Sequence, residues 1–205
     1  VIGFISNFLD PARQTLDASR RLAENGVLAL HDDAALERHL FQQLQLANQL
    51  AGIYYAEPSG RFVYVMRTEE TGRYRTKIIP PFEFGSDSHP ANFIWRSDRF
   101  ATLKTDDDPV DTYEARTRPW YKDVESTGDS IWTAPYIFFT GRKPGITYAA
   151  PVKDSSGNIR GIIGIDIQIK AISSFLSDIW AERRGAAIVM NENGEVIAHP
   201  NLVLI

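Results

Sequence analysis

Apolar residues recur at helical spacing at Val1, Ile5, Phe8, Ala12 and Leu16, and the pattern fades towards Asn25-Gly26. This predicts one long N-terminal helix. Asp32 or Asp33 can cap a second helix with Leu36, Leu40, Leu44 and Ala47 on one face, ending near Gly52. The period then drops to two. GIYYAEPSGRFVYVMR, 52–67, reads as strand, turn and strand, with Pro58-Ser59-Gly60 in the turn. RYRTKII, 73–79, is a third strand, stopped by Pro80-Pro81. Residues 81–112 scatter Gly, Ser, Asp and Pro, and are expected to be loop-rich. Pro119 at a first helical position predicts a short helix to Ser126. Strands are expected over 130–138 and 145–152. Asp154-Ser155-Ser156-Gly157 then turns the chain into a further strand, and helical spacing returns from Ile169 to Trp180.

That further strand is GIIGIDIQI, 161–169. Alternation sets Ile163, Ile165, Ile167 and Ile169 on one apolar face with Gly161. The other face carries Ile162, Gly164, Asp166 and Gln168, a glycine gap beside an acid. A buried carboxylate without a partner is costly. Two readings stay open here: an internal ion pair or strand-end exposure for Asp166, or a cationic partner that arrives from outside as a ligand amine.

Composition narrows the classes. The chain has 205 residues, 43% hydrophobic and 23% charged, which is ordinary for a globular protein of one large domain or a domain and a half. The net charge of −4, with no basic stripe, argues against nucleic acid as a partner. The absence of cysteine excludes disulfides, thiol nucleophiles and thiolate metal sites. No apolar run is long enough for a membrane span. The apolar start, VIGFISNFL, reads either as the exit of a longer helix or as a simple amphipathic beginning.

Two stretches carry candidate chemistry. YEARTRPWY packs Tyr113, Arg116, Arg118, Trp120 and Tyr121 into one loop-to-helix junction. A guanidinium matches a carboxylate in bidentate fashion, and Tyr and Trp add large apolar area with one polar tip each. The alternative is that Trp120 and Tyr121 are core anchors and the arginines are solvated. In SIWTAPYIF, alternation sets Trp132, Ala134, Tyr136 and Phe138 on one face, where Tyr136 supplies a hydroxyl and Ala134 space. Arg118 can hold a carboxylate and Asp166 an ammonium, so the pair suits a zwitterionic α-amino acid.

The series Tyr113, Arg118-Pro119-Trp120-Tyr121, Tyr136 and Asp166 resembles the amino-acid-binding motif of double Cache sensor domains, and PVKDSSGNIRGIIGIDI is similar to that family's last hairpin. The resemblance implies an α+β fold. A long N-terminal stalk helix (1–24) leads into a PAS-like antiparallel membrane-distal module (25–168). A connecting helix (169–182) and the start of a membrane-proximal module (183–205) follow. It assigns Tyr113, Arg118 and Trp120 to the ligand carboxylate, and Tyr121, Tyr136 and Asp166 to the ammonium. Phe138 departs from relatives that carry an acid at that position, and implies a more apolar side-chain pocket with Gly164 and Ala134. A second hairpin-like stretch, GAAIVMNENGEVIAHP, repeats the pattern of 52–67. The longer ERRGAAIVMNENGEVIAHP is also similar to proximal modules of bacterial adenylate cyclase receptors. The implied role is the periplasmic sensor of an inner-membrane receptor, anchored through flanking spans, with a small-molecule ligand, no cofactor, no metal and no catalysis in this domain. The output implied is a cyclase, kinase, chemotaxis domain or cyclic-di-nucleotide enzyme.

Three other signals compete. Paired acids, Asp166 with Glu83 or Asp111, could serve a hydrolase. Ser86-Asp87-Ser88-His89 holds triad residue types, but neighbours in sequence seldom form a triad. Asp106-Asp107-Asp108 with Asp111 could hold a hard cation but lacks an EF-hand pattern, and the four histidines show no ligand spacing. The stripe from Val1 to Leu16 also suits a homodimer through paired N-terminal helices.

Overall fold

The structure is a computed structural model that describes residues 2–181, 188–190 and 196–199. Helices α1 (Ile2–Glu24) and α2 (Asp33–Leu44) precede a meander of β1 (Gly52–Ala56), β2 (Phe62–Arg67), β3 (Arg73–Ile79), β4 (His89–Ser97) and β5 (Thr102–Asp111). A 3-10 turn (Ala115–Thr117) leads into α3 (Pro119–Thr127). Two short strands follow, β6 (Ile131–Trp132) and β7 (Tyr136–Ile137). The long strands β8 (Pro144–Lys153) and β9 (Ile159–Gln168) then run directly into α4 (Ile169–Ala181). Among the described residues β10 (Val189–Met190) and β11 (Val196–Ala198) form a separate antiparallel pair. The hairpin expected over 185–200 is described only there; the rest of that stretch, and most of the cyclase-like one, lies outside the described residues. No described helix is long and apolar enough to cross a membrane.

Nine described strands form one antiparallel sheet in the order β5-β4-β3-β2-β1-β9-β8-β6, with β7 paired to β8. The first strand is thus central: β1 joins the N-terminal meander to the C-terminal β8–β9 hairpin. Helices α1, α2 and α4 cover one face, where Leu16, Leu36, Leu40, Leu44, Ile53, Val63, Ile163, Ile165 and Ile167 form the larger core. Asp32 caps α2 as expected, its carboxylate accepting from the Ala34 and Ala35 amides at 2.9 and 3.1 Å. From Ile5 onward, the apolar stripe of α1 faces this core: Ala12 and Leu16 are fully buried, and Ile5 and Phe8 pack against it.

Arg67 moors the end of α2 to the sheet. Its guanidinium donates to the carbonyls of Leu44, Ala47 and Leu50 at 2.7, 3.3 and 3.0 Å. The Leu44 carbonyl is one that the helix end leaves without a partner of its own, and the other two lie in the turn that leads to β1.

Two expectations are corrected. Residues 81–112 are not mainly loop, since they hold β4 and β5. Strand β5 lies at the sheet edge and is almost wholly exposed, so it has no apolar face to announce it. Residues 130–138 are not one strand. Pro135 has no amide to donate, and the ladder breaks into β6 and β7 around it. Ala134 is therefore exposed, and Trp132 joins the helix-side core while Tyr136 joins the opposite cluster.

Candidate functional site

The other face of the sheet carries a smaller, aromatic cluster under α3 and the segment from Tyr136 to Lys143. At its centre is Asp166, 4% exposed, near the C-terminal end of β9. Its Oδ1 accepts from Thr147 Oγ1 at 2.7 Å and from Tyr54 at 3.1 Å, and its Oδ2 accepts from Tyr64 at 3.3 Å. Tyr136 extends the network, with its hydroxyl 2.7 Å from Thr147 Oγ1. No cation forms an ion pair with Asp166 among the described residues. Burial pushes its carboxyl up to about 6, against an ordinary 3.8, while the three hydroxyl donors and the more distant Arg118 pull it back.

Register explains how two tyrosines reach one acid. Asp166 pairs with Gly52 on β1 and Thr147 on β8, and Tyr54 pairs with Gly164. The Tyr64 ring lies across Gly52, where a Cβ would stand 2.4 Å from the ring, and the Tyr54 ring lies across Gly164, where it would stand 2.2 Å away. The two glycines are bare patches over which aromatic side chains lean along the sheet towards the carboxylate. Gly164 is thus no gap for a ligand, as the sequence pattern suggested; Tyr54 fills it.

Arg118 stands across the cavity. It precedes Pro119 at the start of α3, in an extended conformation, and makes no side-chain cap to that helix. Its guanidinium donates to the Ile137 carbonyl at 3.0 Å and lies over the Tyr136 ring, 5.6 Å from the centroid. Among the described residues it has no carboxylate partner. Trp120 is 1% exposed and packs on Tyr54 with centroids 4.7 Å apart. Tyr113 stacks between Phe62 at 4.8 Å and Phe139 at 5.2 Å. Its backbone is fixed at both polar groups: the amide donates to Asp111 at 2.8 Å, and the carbonyl lies 2.7 Å from His89 Nε2. Burial raises the pKa of Tyr54, Tyr64, Tyr113 and Tyr136, so all four keep their protons.

Tyr113, Arg118, Trp120, Tyr136, Phe138 and Asp166 all line this one cavity. Tyr121 and Ala134 do not. Tyr121 is buried against Trp120, 5.5 Å between centroids, and the charges around its hydroxyl are Glu125, Arg116, Glu114 and Glu57. Tyr54, Tyr64 and Thr147 were missed by the sequence reading. Each is a hydroxyl residue on a strand, but only the pairing and register of distant strands bring the three to Asp166.

The paired-acid alternative loses its partners: neither Glu83 nor Asp111 lines the cavity, and Asp111 is clasped by Lys77 at 2.6 and 2.7 Å. His89 is 24 residues from Tyr113 in sequence and packs on Phe82, not in a triad. No described His, Asp or Glu side chains gather in threes as metal ligands would. The cavity itself measures about 20 Å³, room for about one water.

The family model described as Cache domain (dCache_1) matches residues 1–205. Methyl-accepting chemotaxis protein PscA of Pseudomonas syringae pv. tomato is 31% identical over 97 residues, 47% of this chain and 15% of its own length. McpG of Pseudomonas putida is 27% identical over 113 residues, 55% of this chain and 18% of its own. The matches thus span less than a fifth of these curated relatives. Among solved structures, the ligand-binding domain of the Pseudomonas fluorescens chemoreceptor CtaA in complex with L-valine is similar in fold. Its TM-score is 0.65 at 21% identity, covering 98% of this chain and 71% of that one.

Proposed function

The chain belongs to the Cache domain family, and from that premise we propose that it is the extracytoplasmic ligand-binding sensor of a membrane receptor that recognises a free α-amino acid. The domain plan that goes with this reading is a stalk helix over 1–24, a ligand-binding module over 25–168, a connecting helix over 169–182 and a second module beginning at 183. A chemotaxis signalling output is the reading favoured by the curated relatives, which are methyl-accepting chemotaxis proteins. An amino-acid ligand agrees with CtaA, solved with L-valine.

One observation carries the proposal. Arg118 and Asp166, of opposite charge and without ion-pair partners among the described residues, line the same cavity and do not neutralise each other. A carboxylate at Arg118 and an ammonium at Asp166 would complete both. Asp166 already takes hydroxyl donors on both oxygens, so an ammonium would supply the charge that these neutral groups cannot. Tyr113 and Trp120 serve the carboxylate end in this reading, and Tyr136 the ammonium end, with Tyr54, Tyr64 and Thr147 as the residues that orient Asp166. Tyr121 acts as a support behind Trp120.

A cavity of about 20 Å³ is too small for an amino acid, so binding requires the segment from Tyr136 to Lys143 to move outward. That segment is held at its end by an exposed pair, Lys143 to Glu69 at 2.8 Å, beside the neighbouring larger cavity. A ligand bound better by one arrangement of this segment shifts the population towards it.

The test is a melting scan of the purified chain against each common amino acid, followed by calorimetry on those that raise the midpoint. At least one α-amino acid is expected to bind, with the shift lost in Asp166→Ala and reduced in Arg118→Ala. A cooperative melt that no amino acid moves, at concentrations into the millimolar range, overturns the proposal.

A further inference from the structure

Beside the Asp166 cavity lies a larger one of about 480 Å³, within the ordinary range of small-molecule sites. Thr140 lines both. Two strands also pass from one to the other. On β2, Tyr64 lines the first cavity and Met66 the second; on β9, Asp166 lines the first and Gln168 the second. Residues two apart share a strand face and stand roughly 7 Å apart. The wall that holds Asp166 and Tyr64 therefore continues by one pleat into the larger cavity.

Arg75 waits there. The register sets Lys77 of β3 opposite Tyr64 and Arg75 opposite Met66, so two cations lie one pleat apart on the same face. Their situations differ. Lys77 is saturated by both oxygens of Asp111. Arg75 forms no ion pair among the described residues. Its guanidinium meets the Met66 Sδ at 3.4 Å and lies over the rings of Phe93 and Trp95, at 5.4 and 5.9 Å from their centroids. The one acid on the rim, Glu69, is already engaged by Lys143. A half-buried guanidinium that no described carboxylate pairs with, although Asp106, Asp107 and Asp108 border its outer side, and that faces a cavity of ligand size, suits an anion.

We infer that Arg75 is a specificity-determining residue that receives a carboxylate on the ligand's side chain, so that the sensor favours acidic α-amino acids over their amides. The inference rests on the head-group reading above: Arg118 and Asp166 hold the α-carboxylate and ammonium, and the side chain runs along the continuous wall towards Arg75. Phe138 and Phe139 border the near part, suited to methylene groups, and the charge lies at the far end. Thr140 stands where the side chain would cross between the two cavities.

Calorimetry on the full chain with L-glutamate, L-glutamine, L-aspartate and L-asparagine tests this. Each acid is expected to bind at least about tenfold more tightly than its amide, the scale of one charge-assisted hydrogen-bonded contact. In Arg75→Gln the acid-to-amide ratio is expected to fall to near one, and in Arg75→Lys to recover in part. Melting of each unliganded variant checks that it is folded. Equal binding of acids and amides by the unaltered chain, or a ratio that survives Arg75→Gln, overturns the inference and leaves the head-group reading intact. If no amino acid binds at all, the head-group reading has failed and takes this inference with it.

Discussion

Ile163, Ile165 and Ile167 of β9 meet three helices, whereas Ile162, Gly164 and Asp166 of the same strand meet tyrosines, a tryptophan and a cavity. One strand thus serves two faces under different demands. The helix face is apolar and gains roughly 1.5–3 kcal/mol from each large side chain it buries. The cavity face gives up part of that gain. It keeps an ionisable carboxylate out of water, spends three hydroxyls on it, and leaves an arginine without an acid. Such a face is poorly designed for stability alone, which is what the proposed charged ligand would account for.

The comparison breaks most sharply at Asp166. Asp166→Ala should weaken binding of the preferred amino acid by at least about 30-fold, since truncating one partner of a buried charge pair costs about 2–5 kcal/mol. Calorimetry reads this directly, and a change of less than tenfold would show that the ammonium sits elsewhere. On the helix face, Leu40→Ala should cost about 2–5 kcal/mol of unfolding free energy. Denaturant melts of unliganded chain should show that loss, with the dissociation constant of the folded protein nearly unchanged. A parallel collapse of binding would mean that the two faces are not separable.

Arg118→Ala should act more gently, by about 10–100-fold, because the guanidinium is only part-buried and water can replace some of its contacts.

Acidity gives the next effect. Asp166 titrates near 6 when folded and near 3.8 when unfolded, so the folded state holds the proton more tightly. Stability of the unliganded chain should therefore fall as pH rises from about 4 to about 6, then level off. Asp166→Asn should remove that slope. Ligand affinity should move the other way, falling by up to about tenfold per unit below pH 6 as the carboxylate that faces the ammonium is protonated. A flat profile for affinity from pH 4.5 to 7 would exclude Asp166 as the ammonium site. Smallest of all, Lys143→Ala should change affinity by less than about twofold, since exposed pairs contribute little, and high salt should mimic it.

Where a residue's environment is set by its neighbours in sequence, the chain was readable. The stripe on α2 announced the helix, which stops at Leu44 rather than near Gly52, and the alternation through β1, β2, β3 and β9 announced strands that lie where expected. Pro119 opens α3 as its fixed backbone angle demands. The edge strand β5 was unreadable because burial makes the alternating signal and this strand is hardly buried. The cavity divided along the same line. Tyr113, Arg118, Trp120, Tyr136 and Asp166 were found as a spaced series. Tyr54, Tyr64 and Thr147 depend on which strand pairs with which, and at what register, across residues far apart in sequence. Tyr121 came in through the resemblance to the family motif, and Ala134 through an alternation that Pro135 interrupts.

The margins of the sheet have their own consequence. One border is a long row bearing Asp106, Asp107 and Asp108, and the other is made by the two-residue strands β6 and β7. A second copy approaching the acidic border would bring like charges together, and β6 and β7 offer too few backbone groups to template a growing ribbon. Self-association by strand addition is therefore disfavoured at both borders, and any pairing of two such molecules has to use helical or loop surfaces, so that the sheets stay discrete even when the protein is concentrated.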